Sequence, residues 1–389
     1  MNSTAILETL IAFPTVSGTP NADLIAYAEA HLEALGARIA KVPGPIDGTW
    51  NLWATLGPDD VRGIVLSGHS DVVPVAGQDW SSDPFTLTRR GDRLFGRGAA
   101  DMKGFLACAL SAFTRAAARK GDLRAPLHLA ITCEEEVGCI GVRTLLPSLS
   151  ELPVQPLLCI VGEPTSMRLA TGHKGKLAFR AACTGRAAHS ALPTQGLNAI
   201  FLASEFVAAA REEQARIERE GAHDDAFEVP YSTLHVGTIR GGTALNIVPE
   251  SCTMELELRS VPGEDARAVF ARLSEAAERI VEPYRSRCPE AAITLQIVNS
   301  YPGLDSGEDP WLDFMTALTG TNERIKLAFG TEGGLLDQTL DAAVVVCGPG
   351  SMDQGHKPDE FVTVEQLARC DAMLDAVVAR LCAPGIEAA

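Results

Sequence analysis

The chain has 389 residues, too many for one ordinary hydrophobic core, which predicts two domains. Hydrophobic residues make up 46% and charged residues 21%, the balance of a globular enzyme, with no low-complexity tract and no repeat at solenoid spacing. A formal net charge of -17 repels nucleic acid and anionic lipid, so neither is an expected partner.

The opening stretch "MNSTAILETLIAFPTVSG" has no basic segment and no long apolar core, so it does not read as a signal peptide. No apolar run has the length of a membrane span, and the expectation is a cytoplasmic protein. The ten cysteines lie singly in apolar stretches with no C-x-x-C pair. That pattern predicts buried free thiols rather than disulfides or a thiolate zinc site.

"NADLIAYAEAHLEALG" puts Leu24, Ala28, Leu32 and Leu35 on one helical face, with Asn21 as N-cap and Gly36 as the stop. "GIVLSGHSD" then reads as a strand, "KGFLACALSAFTRAAARKG" as an Ala-rich helix, and "LHLAITCEEE" and "PLLCIVGEP" as two more strands. Short apolar strands alternating with helices predict an α/β domain whose sheet is mostly parallel and covered by helices on both faces.

The grammar changes after Lys174. "GKLAFRAACTG" mixes polar residues into a strand, a helix follows over about 197–220, and "YSTLHVGTIRGG" and "SCTMELELRSV" are further strands. The last alternates strictly, with Met254, Leu256 and Leu258 on one face and Glu255, Glu257 and Arg259 on the other, the mark of a sheet with one wet face. A helix over about 265–284 and the strand "AITLQIVNS" complete the order β-α-β-β-α-β. The expected organisation is therefore residues 1–174 and 301–389 forming one domain, with a smaller α+β domain, 175–300, inserted. "DAAVVVCGPG" returns to the buried-strand pattern, and a final helix runs over about 364–381.

Five segments of the larger domain carry groups suited to a metal at strand ends: His69 and Asp71 in "SGHSD", Asp101 in "GRGAADMKG", Glu134, Glu135 and Glu136 in "CEEEVG", Glu163 in "VGEP", and His356 in "QGHKPDE". Each alone has an ordinary reading: a hydrogen-bonded turn histidine, a helix-capping aspartate, a solvated acidic face. Together, two imidazoles and several carboxylates form a mixed nitrogen and oxygen set suited to zinc, cobalt or manganese. Three adjacent like charges after a buried strand also call for a cation. Competing motifs fail: "GRGAAD" lacks the third glycine of a dinucleotide fingerprint, and there is no H-E-x-x-H and no G-x-S-x-G.

"SGHSDVVPV", "GRGAADMKGF", "EEEVG", "GEPT", "GRAAHSALP" and "GHKPDE" resemble the motifs of the M20 family of metal-dependent amidohydrolases and peptidases, and the resemblance runs nearly the whole chain. It implies that His69 and Glu163 ligate one metal, that Glu136 and His356 ligate the other, and that Asp101 bridges them. Zinc is implied, one or two ions per subunit, with cobalt as substitute. It further implies Glu135 as general base, Asp71 orienting His69, a cis peptide after Asp101, and His189 as donor to the oxyanion, reaching a partner subunit's site. Arg259 and Asn246 resemble residues that bind the substrate's α-carboxylate, and Glu332 in "FGTEGGLLDQ" would face a substrate ammonium. The implied reaction is hydrolysis of the amide of N2-acetyl-L-ornithine, in arginine biosynthesis. The alternatives are a succinylated diaminopimelate or a dipeptide as substrate, and the implied assembly is a homodimer through 175–300. One departure is visible: the family usually shows Asp-Glu-Glu where this chain has Glu134-Glu135-Glu136.

Overall fold

The computed structural model describes residues 2–320 and 322–386. The chain divides into two compact units. The first takes the chain up to Gly172, then Leu304–Lys326 and the chain from Thr331; the second is His173–Gly303 with Leu327–Gly330. The divisions at 172/173 and 303/304 compare with 174/175 and 300/301 from the sequence. The return of Leu327–Gly330 to the second unit has no counterpart in the sequence reading.

The first unit is built on a mixed sheet whose four central strands are Leu127–Thr132, Ile64–His69, Leu158–Pro164 and Ala343–Gly348, in that order and parallel. Each of these strands is buried along its whole length, which is why each reads as an unbroken apolar run rather than an alternation. Trp50–Leu56 and Arg38–Pro43 extend one flank antiparallel, and Leu169–His173 joins the other flank antiparallel. Helix Lys103–Ala118 is buried on nearly every face because it packs between the sheet and the helices Ser3–Ile11 and Val364–Cys382. The fit is close: a Cβ on Gly162 would sit 1.9 Å from the ring of Phe105, so only glycine lets this helix approach the Glu163 strand.

Helix Ala22–Ala34 starts after Asn21, but the Asn21 side chain does not cap it. Its amide donates to the Trp50 carbonyl and to Ser70 Oγ, and its oxygen accepts from Trp50 N. Buried beside a strand, the side chain ties helix to sheet instead of closing its own turn.

The second unit is an antiparallel sheet in the order Thr233–Gly241, Ser251–Ser260, Gly175–Thr184, Ala292–Tyr301, packed against helices Ala199–Glu220 and Ala266–Val281. Met254, Leu256 and Leu258 enter its core with Phe179, Phe206 and Leu273. The second helix begins at Asp265, whose carboxylate accepts from the amides of Arg267 and Ala268. All ten cysteines are free and nine are buried. No helix among the described residues is long and apolar enough to cross a membrane.

Candidate metal centre

The four central strands deliver their C-terminal ends to one place. His69 closes its strand, Glu163 is the last residue but one of the next, Glu134–Glu136 follow Thr132, and His356 comes on the loop after Gly348. Asp101 arrives on the turn before helix Lys103–Ala118, and the Asp101–Met102 peptide is cis. This is the carboxyl edge of a parallel sheet where connections diverge, since the Ile64–His69 strand leads to one neighbour and the chain then crosses to the other.

Asp101 lies between two imidazoles. Its Oδ1 is 3.1 Å from His69 Nε2 and its Oδ2 is 3.1 Å from His356 Nε2. Glu163 Oε1 stands 3.8 Å from His69 Nε2, and Glu136 Oε2 stands 2.9 Å from His356 Nε2. The five expected ligands therefore converge, a histidine and a glutamate on each side of one aspartate. Ligand atoms of His69, Asp101 and Glu136 lie within 4.8 Å of one another, as do those of His69, Glu135 and Glu163.

Asp71 is a fastening point. Its Oδ1 accepts from Glu135 N at 3.0 Å, and its Oδ2 accepts from Glu136 N at 3.3 Å and Ser17 Oγ at 2.7 Å. His69 Nδ1 is 2.8 Å from the Asp71 carbonyl, which leaves Nε2 facing Asp101. Glu134 turns away: its backbone is left-handed, at φ 54°, and its carboxylate accepts from Gly18 N. The extra methylene relative to the usual aspartate is spent outside the cluster, and Glu135 and Glu136 are the two acids that point in. Glu135 Oε1 is 3.1 Å from the Cys139 thiol.

The electrostatics call for a cation. Burial pushes the carboxyls of Glu135 up to about 8 and Glu136 up to about 7, and raises Glu163 well above the usual carboxyl range, in each case with neighbouring carboxylates adding to the effect. His356 is raised to about 10 by its hydrogen bonds to Asp101 and Glu136. Glu136 Oε1 and Glu163 Oε1 are buried and have no hydrogen-bond partner, one on each side of Asp101. A donor set of imidazole and carboxylate with orphaned oxygens on both sides fits divalent metal ions.

The remaining expected residues are elsewhere. Glu332 is in the first unit but faces inward: it is 1% exposed, and its two oxygens accept from Ser67 Oγ at 2.7 Å and Thr132 Oγ1 at 2.8 Å. It ties two neighbouring strands together and offers no open face to an ammonium, which corrects the sequence expectation. His189, Asn246 and Arg259 belong to the second unit. His189 is exposed on a short ribbon, Ala188–His189 against Ile247–Val248, and its Nδ1 accepts from Ala191 N, so the neutral ring carries its proton on Nε2. Asn246 precedes the strand that starts at Ser251, while Arg259 is near that strand's other end, bound to Glu257 and Tyr301 Oη. Eight residues of strand span about 26 Å, so the two expected carboxylate contacts lie at opposite ends of the sheet.

Three polar residues escaped the sequence reading: Gln78, Arg97 and Glu360. Glu360 accepts from Asp101 N and pairs with the buried Arg97. The "GRGAAD" and "GHKPDE" stretches contain both charges, but nothing in their spacing says that they meet.

A profile of the peptidase family M20/M25/M40 matches residues 65–380. An acetylornithine deacetylase from Myxococcus xanthus is 34% identical over 97% of this chain and 97% of its own. One from Photorhabdus laumondii is 31% identical over 97% of this chain and 96% of its own. Among solved structures, an aminopeptidase from Bacillus cereus superposes with a TM-score of 0.78 at 19% identity, covering 98% of each chain. A family metallo-carboxypeptidase from Sulfolobus solfataricus gives 0.77 at 18% identity, covering 97% and 98%.

Proposed function

The chain belongs to the peptidase family M20/M25/M40 and is a metallohydrolase, and from that premise we propose that it cleaves the amide of N2-acetyl-L-ornithine to L-ornithine and acetate. One observation carries the chemistry: the two oxygens of Asp101 each meet a different histidine, and each histidine has its own glutamate. The relatives' names carry the substrate, since two of them act on acetylornithine and match the chain end to end.

His69 and Glu163 would hold one ion, Glu136 and His356 a second, with Asp101 between. Zinc suits this set, and cobalt is a fitting substitute. Bound there, divalent ions supply Lewis acidity at the acyl oxygen and lower the pKa of a water. Glu135 takes the proton of that water as it attacks the amide carbon, then passes it to the leaving amine. The Cys139 thiol occupies one oxygen of Glu135 and leaves the other for the transfer. His189 donates a hydrogen bond from Nε2 to the tetrahedral oxyanion, and Arg259 grips the α-carboxylate.

A homodimer through the second unit completes this reading. Asn246 and Arg259, separated by the length of a strand, serve one substrate only if two chains contribute. Beside the His189 ribbon lies an open groove of about 960 Å³. Phe201, Leu245 and Ile247 line it and are exposed, an apolar surface that suits a second copy. Buried free thiols suit a reducing compartment, the cytoplasm.

The test is turnover by metal-free protein after addition of Zn²⁺ or Co²⁺, with acetylornithine and succinyl-diaminopimelate side by side. Metal-restored turnover of acetylornithine alone is the expected result. Preference for the succinylated substrate would keep the mechanism and overturn the substrate.

A further inference from the structure

We propose that Glu360, clamped by Arg97, is a positioning residue that holds Asp101 and His356 in mutual register, and that it governs the metal position formed by Glu136 and His356 more than the one formed by His69 and Glu163. The inference rests on the two-metal reading above and names residues that reading does not use.

Glu360 is 1% exposed and meets four donors. Its Oε1 accepts from Ala100 N at 2.9 Å and Asp101 N at 3.0 Å. Its Oε2 accepts from Gly98 N at 3.1 Å and Arg97 Nη1 at 2.6 Å. Three of the four donors are backbone amides of the turn that presents Asp101. Arg97 is fully buried, lies over the Trp80 ring, and donates its other Nη to Gln78 Oε1. Gln78 Nε2 in turn donates to the His356 carbonyl at 2.9 Å. Segments around 78, 97–101 and 356–360 thus close into a ring of hydrogen bonds, and the Asp101–His356 contact lies across it.

A buried ion pair is a poor way to add stability, because desolvation of both charges offsets their attraction. What it supplies here is direction: a carboxylate can take four donors in fixed geometry, and an apolar side chain takes none. His356 needs this support. It is on a loop, with a left-handed backbone at φ 62°, and its side chain is 45% exposed. His69 sits at the end of a buried strand, 1% exposed, with Asp71 behind it. Residues behind metal ligands commonly change affinity by 10–100-fold.

The experiment is a calorimetric titration of metal-free wild type, Glu360→Gln and Gln78→Leu with Zn²⁺, together with the melting temperature of each metal-free protein. Glu360→Gln keeps the shape but turns an amide donor toward Arg97 and Gly98. The expected result is two equivalents in wild type. In Glu360→Gln the weaker equivalent binds about 10–100-fold less tightly, and the tighter one changes by less than about threefold. Gln78→Leu, at a partly exposed position, gives the same pattern more weakly and carries the test if Glu360→Gln does not fold. Equal weakening of both equivalents with a lower metal-free melting temperature marks a general structural role and overturns the proposal, as does an unchanged titration. A wild type that binds a single equivalent overturns the two-metal reading itself.

Discussion

The two units treat their functional groups in opposite ways. In the first, His69, Asp101 and Glu163 are buried beside rigid strands, and several of the groups have their orientation set by a second residue: Asp71 behind His69 and the 135–136 backbone, Glu360 behind Asp101. In the second, His189 is exposed on a short ribbon and Asn246 on the turn that leads into it, and Arg259 is half-buried on the wet face of an antiparallel sheet. The difference follows from desolvation. A buried charge must find a partner, in its own chain or in a bound ion, so the acids and imidazoles of a buried cluster are brought together by the fold itself. An exposed group carries no such demand, and the second unit's three lie apart, at the two ends of one strand. On the proposed function, a single chain therefore holds a finished metal centre and an unfinished substrate site.

The sharpest way to test the finished half is Glu135→Gln. The variant keeps the shape and loses the proton acceptor, so kcat should fall roughly 10³-fold while zinc content stays at the wild-type level. Steady-state kinetics paired with metal analysis reads both. A variant that still turns over would assign the base elsewhere, Glu163 and His69 having ligand atoms within 4.8 Å of those of Glu135.

The unfinished half is tested by mixing. His189→Ala alone should lose about 10²-fold in kcat with little change in KM, the cost of one oxyanion donor. Refolded together with Glu135→Gln chains, it should regain about a quarter of wild-type activity, because half the dimers are hybrids and each hybrid has one intact site of two. No recovery in the mixture would confine His189 to its own chain. Arg259→Lys follows with a smaller effect: a KM about tenfold higher and kcat nearly constant, since lysine keeps the charge and loses the planar two-point grip. An unchanged KM would leave Arg259 as a partner of Glu257 only.

The same contrast explains what the sequence revealed. A buried apolar run that stops at a charge is visible in one dimension, so His69, Glu163 and the acids after Thr132 stand out as candidates, whereas the roles of Asp101 and His356, on a turn and a loop, come from the resemblance. The alternation of Met254, Leu256 and Leu258 likewise fixed which face of their strand is dry. What spacing does not encode is where a side chain turns. Glu332 stands three residues before an apolar pair in a Gly-rich stretch and reads as a loop acid, yet it bonds into the sheet. Asn21 occupies an N-cap position and bonds to a strand instead. Gln78, Arg97 and Glu360 lie far apart in the chain, and only the fold closes their ring. The separation of Asn246 from Arg259 is similarly a property of how one strand is laid out.

Glu332 has the smallest expected effect and separates the buried role from the abandoned surface one. Burial raises its carboxyl above the ordinary value of 4.5, and the Ser67 and Thr132 hydroxyls only partly oppose this. The folded state therefore binds the proton more tightly than the unfolded chain does. The stabilisation is full below the ordinary glutamate value and is lost as pH rises through the raised folded value. Glu332→Gln does not titrate and keeps a polar group between the two strands. The melting temperature of the variant minus that of wild type should be lowest near pH 4.5 and grow toward neutrality. Its KM for acetylornithine should match wild type, because both oxygens are already engaged by strand hydroxyls. A raised KM with a flat difference in melting temperature would instead return Glu332 to the substrate.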